Sequence, residues 1–295
     1  MIVFGLAACT DVKPVLKIGV LAPFEGLYRR TGYDALAAVR AAIEDTPVAG
    51  AAIIPLALDD GSDPTRSRRA AEKLLVDGDV AAIVGPLSPA TTAGVEPTLQ
   101  AAGVLWSPPL APFMLRDDEW AVQMVATAAD YASQQGASRL ALAGWTAGWP
   151  DLSDAEWSTA IGLPAVRIQA PEMVAPSDAV FWLGSPAEGA DFLNVLRQYH
   201  PTAPFWLGPQ GGDPVFSERA QSFDQIYWVV WSDLGYNSWK QQHSSSSPLA
   251  YLVYLATVAS IQSATGQTPQ TTTGWFVQAY SVTSDGDSQP LVPED

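Results

Sequence analysis

Residues 58–88 read LDDGSDPTRSRRAAEKLLVDGDVAAIVGPLS. Asp63 suits a helix N-cap and Pro64 the first helical position. The helical period runs on to Gly78, and VAAIVG (80–85) is an apolar run of strand length. A similar run, AAIIPLAL (51–58), precedes the turn. Strand, helix and strand in this order predict a parallel pair buried on both faces. The second strand leaves through Gly85-Pro86 into a loop of small and hydroxyl residues, the place where open parallel sheets hold ligands.

Working outward, LKIGVLAP (16–23) reads as a strand, and DALAAVRAAIED (34–45) puts Leu36, Val39, Ala42 and Ile43 on one helical stripe. A helix over 90–101 and the strand GVLWS (103–107) follow. After a break at 112–120 the pattern resumes. A helix (121–135), strands at 139–144, 178–184, 203–208 and 225–231, and a helix at 187–199 predict a second sheet. SWKQQHSSSS (238–247) reads as a loop or hinge, and PLAYLVYLATVASIQSA (248–264) as a core helix too short to span a bilayer. The expected architecture is α/β, with two lobes that each carry a mainly parallel sheet flanked by helices. The expected division is a leader and linker (1–14), a first lobe (15–116) and a second lobe (117–235). A hinge return with a helix packing on the first lobe (236–282) and a flexible tail (283–295) complete it. Only PEMVAPS (171–177) separates VRIQA from DAVFWLG, so the second lobe is expected to be trimmed.

Of 295 residues 48% are hydrophobic, and 31 acidic against 15 basic side chains give a net charge of −16. Such a chain is repelled by nucleic acid and by anionic lipid, so neither is an expected partner. One cysteine excludes an internal disulfide, and the two histidines, His200 and His243, have no metal-ligand spacing. No G-x-S-x-G, H-E-x-x-H, P-loop or G-x-G-x-x-G motif occurs, so neither an enzyme nor a cofactor is expected. The acidic pairs Asp59–Asp60 and Asp117–Asp118 fall at turns, which account for them. The start, MIVFGLAAC, is an apolar run ending at Cys9 and followed by polar TDVKP. LAAC resembles a bacterial lipobox, which makes Cys9 the candidate lipidation site and the lipid the only expected membrane contact.

In the loop after Gly85-Pro86, Ser88, Thr91 and Thr92 open a helix where their hydroxyls can cap it or meet a ligand. Nine of the eleven tryptophans lie from residue 145 onward. Trp182, Trp206 and Trp228, inside strands, are expected in the core. Trp145, Trp149 and Trp231, at loops after strands, are candidates to stack on a ligand. Tyr28 and the pair Arg29, Arg30 follow the first strand and are candidates to face a cleft.

KIGVLAPFEG, the 58–88 stretch, AAGVLWSPPLAP and FWLGPQGG together resemble the branched-chain amino-acid-binding family, extracytoplasmic solute-binding proteins of ABC importers with the type I periplasmic binding fold. The resemblance is strong over about 16–112 and patchy to about 265. It implies two lobes joined by three hinge segments and closing on a ligand, with an ABC permease as partner. The implied carboxylate position falls at Pro89, beside Ser88. A second hydroxyl position falls near Ala111 in SPPLAP, which brings Pro109 and Leu110 into the expected site. The position of the family's ammonium-binding acid is Gln210, the facing aromatic is Trp149, and a glycine-turn hydroxyl is Ser185. An amide cannot neutralise an ammonium and proline has no amide donor, so of the two expected ligand types, amino-acid-like and neutral amide-like, the neutral, hydrogen-bonding one is favoured. Hinges are expected near 114–121 and 231–248. An alternative expectation is a ligand-free lipoprotein of the same fold that regulates envelope proteins such as peptidoglycan synthases.

Overall fold

The computed structural model describes residues 13–110, 119–243, 247–269, 274–283, 285 and 287–291. Cys9, Ala111, Asp117, Asp118 and most of the first expected hinge lie outside them.

The first sheet is built by β1 (Val15–Ala22), α1 (Arg29–Asp45), β2 (Ala52–Asp59), α2 (Pro64–Val76), β3 (Val80–Val84), α3 (Pro89–Ala102) and β4 (Leu105–Ser107). Its strand order is β2-β1-β3-β4, all parallel. Asp63 caps α2 by accepting from the Arg66 amide, with Pro64 at the first helical position, as its sequence predicts. Ser88 caps α3 in the same way, ahead of Pro89.

The second sheet draws on α4 (Glu119–Gln134), β5 (Arg139–Ala143), α5 (Asp154–Ile161), β6 (Ala165–Arg167), β7 (Asp178–Trp182) and α6 (Pro186–Tyr199). It continues with β8 (Phe205–Leu207), α7 (Pro214–Arg219) and β9 (Ile226–Ser232). After α8 (Tyr236–Gln242) and α9 (Pro248–Ala264) come β10 (Phe276–Val282) and β11 (Ser288–Pro290). The order is β11-β10-β9-β8-β7-β5-β6, parallel from β6 to β9 and antiparallel at β10 and β11. Every residue of β7 and β9 is buried, as strands covered on both faces require. Arg139 and Asp178 face each other across β5 and β7 and form a bidentate pair at 2.9 and 2.7 Å, which pins that register. Between β6 and β7 stands only the 3-10 turn Pro171–Met173, so the trimming of the second lobe is real.

Three sequence expectations are corrected. Residues 238–242 of the supposed polar loop belong to α8, because Trp239 turns inward onto Tyr251 and Tyr254 at ring separations of 5.2 and 5.7 Å. The segment 236–282 is shared between the lobes: α9 packs on α1, whereas β10 joins the second sheet. The supposed loose tail contains β11, and Ser288 accepts a 2.9 Å hydrogen bond from the Trp228 indole. Helix α9 is apolar on nearly all sides because it is covered on most of them; it touches α1, β3, β4 and β9. Among the described residues no helix is long and apolar enough to cross a membrane.

Candidate functional site

A cavity of ≈ 470 Å³ lies between the two sheets, beyond the carboxyl ends of β1, β2, β3, β5, β7 and β8. That volume suits a small organic molecule. The lobes meet around it. The Tyr28 hydroxyl accepts from the Ala187 amide at 3.3 Å, Gln210 Nε2 donates to the Leu87 carbonyl at 3.4 Å, Thr31 donates to Asp213, and Arg30 pairs with Glu218. Each contact joins the first lobe to the second, so the molecule is in a closed form.

Of the sequence-expected residues, Tyr28, Ser88, Thr91, Ser185 and Gln210 line the cavity. The hydroxyls among them are already engaged. Ser88 accepts from the Thr91 amide and lies 2.7 Å from the Thr91 hydroxyl, which also donates back to the Ser88 carbonyl. Ser185 donates to Glu188 at 2.7 Å while capping α6.

Thr92, Pro109, Leu110 and Trp149 do not line it. Trp149 is buried, donates its indole N–H to the Leu183 carbonyl at 2.7 Å, and packs on Trp120 and Phe181. A position beside a loop is therefore also a position at the edge of the core, and here the core won. Trp231 is likewise buried and bonded to the Trp120 carbonyl, and the guanidinium of Arg167 covers Trp145 at 4.0 Å. Pro109 and Leu110 are buried, and the Thr92 amide continues the first turn of α3. Trp228, expected only as core, is also part of the cavity wall.

Sequence reasoning missed the charge. Asp34, Asp60, Asp213 and Glu188 line the cavity, and among the described residues lining it there is no Lys, Arg or His. Asp60 is 1% exposed, and its Oδ1 accepts from the Ser62 amide at 2.8 Å. Its Oδ2 is buried without a hydrogen-bond partner. Burial pushes this carboxyl up to about 7, against the Ser62 amide and with help from the charges of Asp59 and Asp63. Asp213 is also pushed up by burial, although Thr31 and the Val215 amide donate to it. The signal in sequence was the DD pair itself, but a turn acid and a ligand-facing acid look alike until burial is known. The acids remove the ground for expecting a neutral ligand. Among the described residues no group of three His, Cys, Asp or Glu side chains is placed to hold a metal ion.

A family model described as periplasmic binding protein matches residues 15–191. No curated protein matches the chain. Solved structures do. One is a possible leucine/isoleucine/valine-binding protein from Rhodopirellula baltica, 15% identical, with a TM-score of 0.71 over 97% of this chain and 98% of that one. A leucine-binding protein from Thermotoga maritima is 16% identical, with a TM-score of 0.70 over 94% and 98%. A branched-chain amino acid transporter substrate-binding protein from Streptococcus pneumoniae, solved with isoleucine, is 16% identical, with a TM-score of 0.66 over 95% and 100%.

Proposed function

The chain belongs to the periplasmic binding proteins and has their type I fold, and from that premise we propose that it is an extracytoplasmic solute-binding protein that closes on a small molecule and presents it to an ABC importer. The observation that carries this reading is the ≈ 470 Å³ cavity formed where two lobes meet through Tyr28, Thr31, Gln210 and Asp213. A cavity bridged by contacts from both sides couples ligand binding to closure, because the ligand adds interactions that only the closed form makes. The family is one of binding proteins rather than enzymes.

Small-angle scattering should therefore give a smaller radius of gyration in the presence of a compound that raises the melting temperature than in its absence. An unchanged radius with proven binding removes the closing mechanism. If no compound of a metabolite library raises the melting temperature, solute binding itself fails.

The anchoring reading is separate. Cys9, after the lipobox-like LAA, is proposed as the lipidated residue. Expressed from an upstream start, the protein should incorporate labelled fatty acid, and Cys9→Ser should not. Equal labelling of both ends this part of the proposal.

A further inference from the structure

Four acidic residues line one cavity without a cation among its lining residues, and one of them, Asp60, keeps a buried carboxylate oxygen that nothing in the protein pairs. A lone buried carboxylate oxygen is costly, and such groups in native structures have a reason. We propose, on the premise that the cleft binds a solute, that it takes a small organic cation, an amine or ammonium with an apolar body and no carboxylate, with Asp60 as counter-charge.

Helix N-termini are the one feature of the cavity that favours anions, and their capacity is curbed. Pro89, Pro186 and Pro248 occupy the first positions of α3, α6 and α9, where no amide proton remains. Ser88, Ser185 and Ser247 then take the third amides of the same helices as caps. The next free donor on α6, the Ala187 amide, is spent on Tyr28. What remains is the second amides of α3 and α9, at Ala90 and Leu249, and fractional dipole charge, about half a unit per helix, against the carboxyls of Asp60, Asp213 and Glu188. A ligand carboxylate would enter this field without a side-chain cation to meet it.

The rest of the lining fits the body of such a ligand. Pro23, Leu87, Pro209 and Leu249 supply apolar surface. A bare metal ion does not fit, because the cavity is far larger than an ion and its acids are spread around it rather than grouped.

Four compounds that share an isobutyl group test the charge: 3-methylbutylamine, leucine, 4-methylpentanamide and 4-methylpentanoate, titrated calorimetrically at pH 8. Benzyltrimethylammonium and phenethylamine extend the cation arm. The expected order is amine first, with leucine and the amide at least tenfold weaker and the carboxylate without measurable binding. Wild-type affinity for the best amine should fall as the pH drops from 8 to 6, because protonating Asp60 removes the counter-charge. The other charged groups near Asp60 are Asp59 and Asp63 beside it in the turn, Arg66 packed over Gly61, and Asp34, Glu188 and Asp213 across the cavity. The acids among them only add to that trend. Asp60→Asn should weaken the amine at least tenfold and leave the amide unchanged. If that variant does not fold, the wild-type pH series decides. Leucine binding tenfold tighter than the amine, amine affinity independent of pH, or no binding by any cation overturns the proposal. A neutral or anionic compound that binds and compacts the protein would overturn it while leaving solute binding intact.

Discussion

Asp60→Asn should stabilise the unliganded protein at pH 8 by up to about 4 kcal/mol and leave its stability at pH 3 unchanged. The sign follows from the direction of the shift. In the unfolded chain the carboxyl ionises near 3.8, and in the folded protein only at about 7. Below pH 3.8 it is protonated in both states and contributes no penalty. As the pH rises from there to 7 the unfolded state gains a charge that the folded state resists, so stability drains away across that window. Above 7 the full penalty stands. Asparagine keeps the acceptor for the Ser62 amide and never ionises, so it escapes the loss. Its amide group meets the same partnerless space as the protonated carboxyl, which is why the two proteins should match at pH 3. Chemical denaturation of both proteins at pH 3, 5 and 8 measures the difference. Equal stability at pH 8 would mean that Oδ2 is solvated and that Asp60 holds no reserve of charge.

Such a penalty has a functional interpretation. A protein that carries an ionised carboxylate in a closed cavity gives up stability that a neutral residue would keep, and sites of this kind are where function and stability compete. A bound cation reverses the balance: it favours the charged form of Asp60 and recovers much of the desolvation cost. Ligand should therefore stabilise wild type more at pH 8 than at pH 5, and for Asp60→Asn that difference should be clearly smaller.

The first lobe was legible in sequence to within a residue or two except at the start of α1, which opens at Arg29 rather than Asp34, because strands buried on both faces are continuous apolar runs and α2 and α3 open on Asp-Pro and Ser-Pro caps. The second sheet was legible where the same signal held, at β5, β7 and β9. Helix α8 was not, since its single inward tryptophan is surrounded by polar residues and only the aromatic cluster of α9 explains its fold. The antiparallel edge, β10 and β11, carries mixed exposure and no apolar run. The loop hydroxyls Ser88, Thr91 and Ser185 and Gln210 line the cavity because it lies beyond the carboxyl ends of parallel strands, where the loops that carry them gather. Trp149 was misplaced because a ring that reaches the Leu183 carbonyl leaves no trace in sequence. The acids were passed over because N-caps and turns explain Asp60 and Asp213 well enough alone; their convergence is a product of two lobes meeting.

That meeting is dense at one point, and Gly148→Ala should prevent it. Gly148 lies in the loop after β5 with φ +90°, and a Cβ added there would stand 2.1 Å from the Pro89 carbonyl oxygen of the first lobe. No side-chain rotation relieves an overlap between a Cβ and a backbone oxygen, so the lobes must move apart. Opening does relieve it, so each lobe should stay folded. With the closed form depleted, apparent affinity falls in proportion to its lost population, and an overlap costing about 3 kcal/mol gives a loss on the order of 100-fold. The left-handed backbone adds a strain of its own, and Gly162→Ala isolates it. Gly162 has φ +70°, lies in the same lobe, and a Cβ there meets nothing within 4 Å. Both variants should lose a similar small amount of thermal stability. Only Gly148→Ala should bind 3-methylbutylamine, or whichever compound stabilises wild type, on the order of 100-fold more weakly, and only it should keep the larger radius of gyration with that compound present. Compaction of Gly148→Ala to the wild-type radius would show that the 145–150 loop yields instead, and that Pro89 and Gly148 do not set the limit of closure.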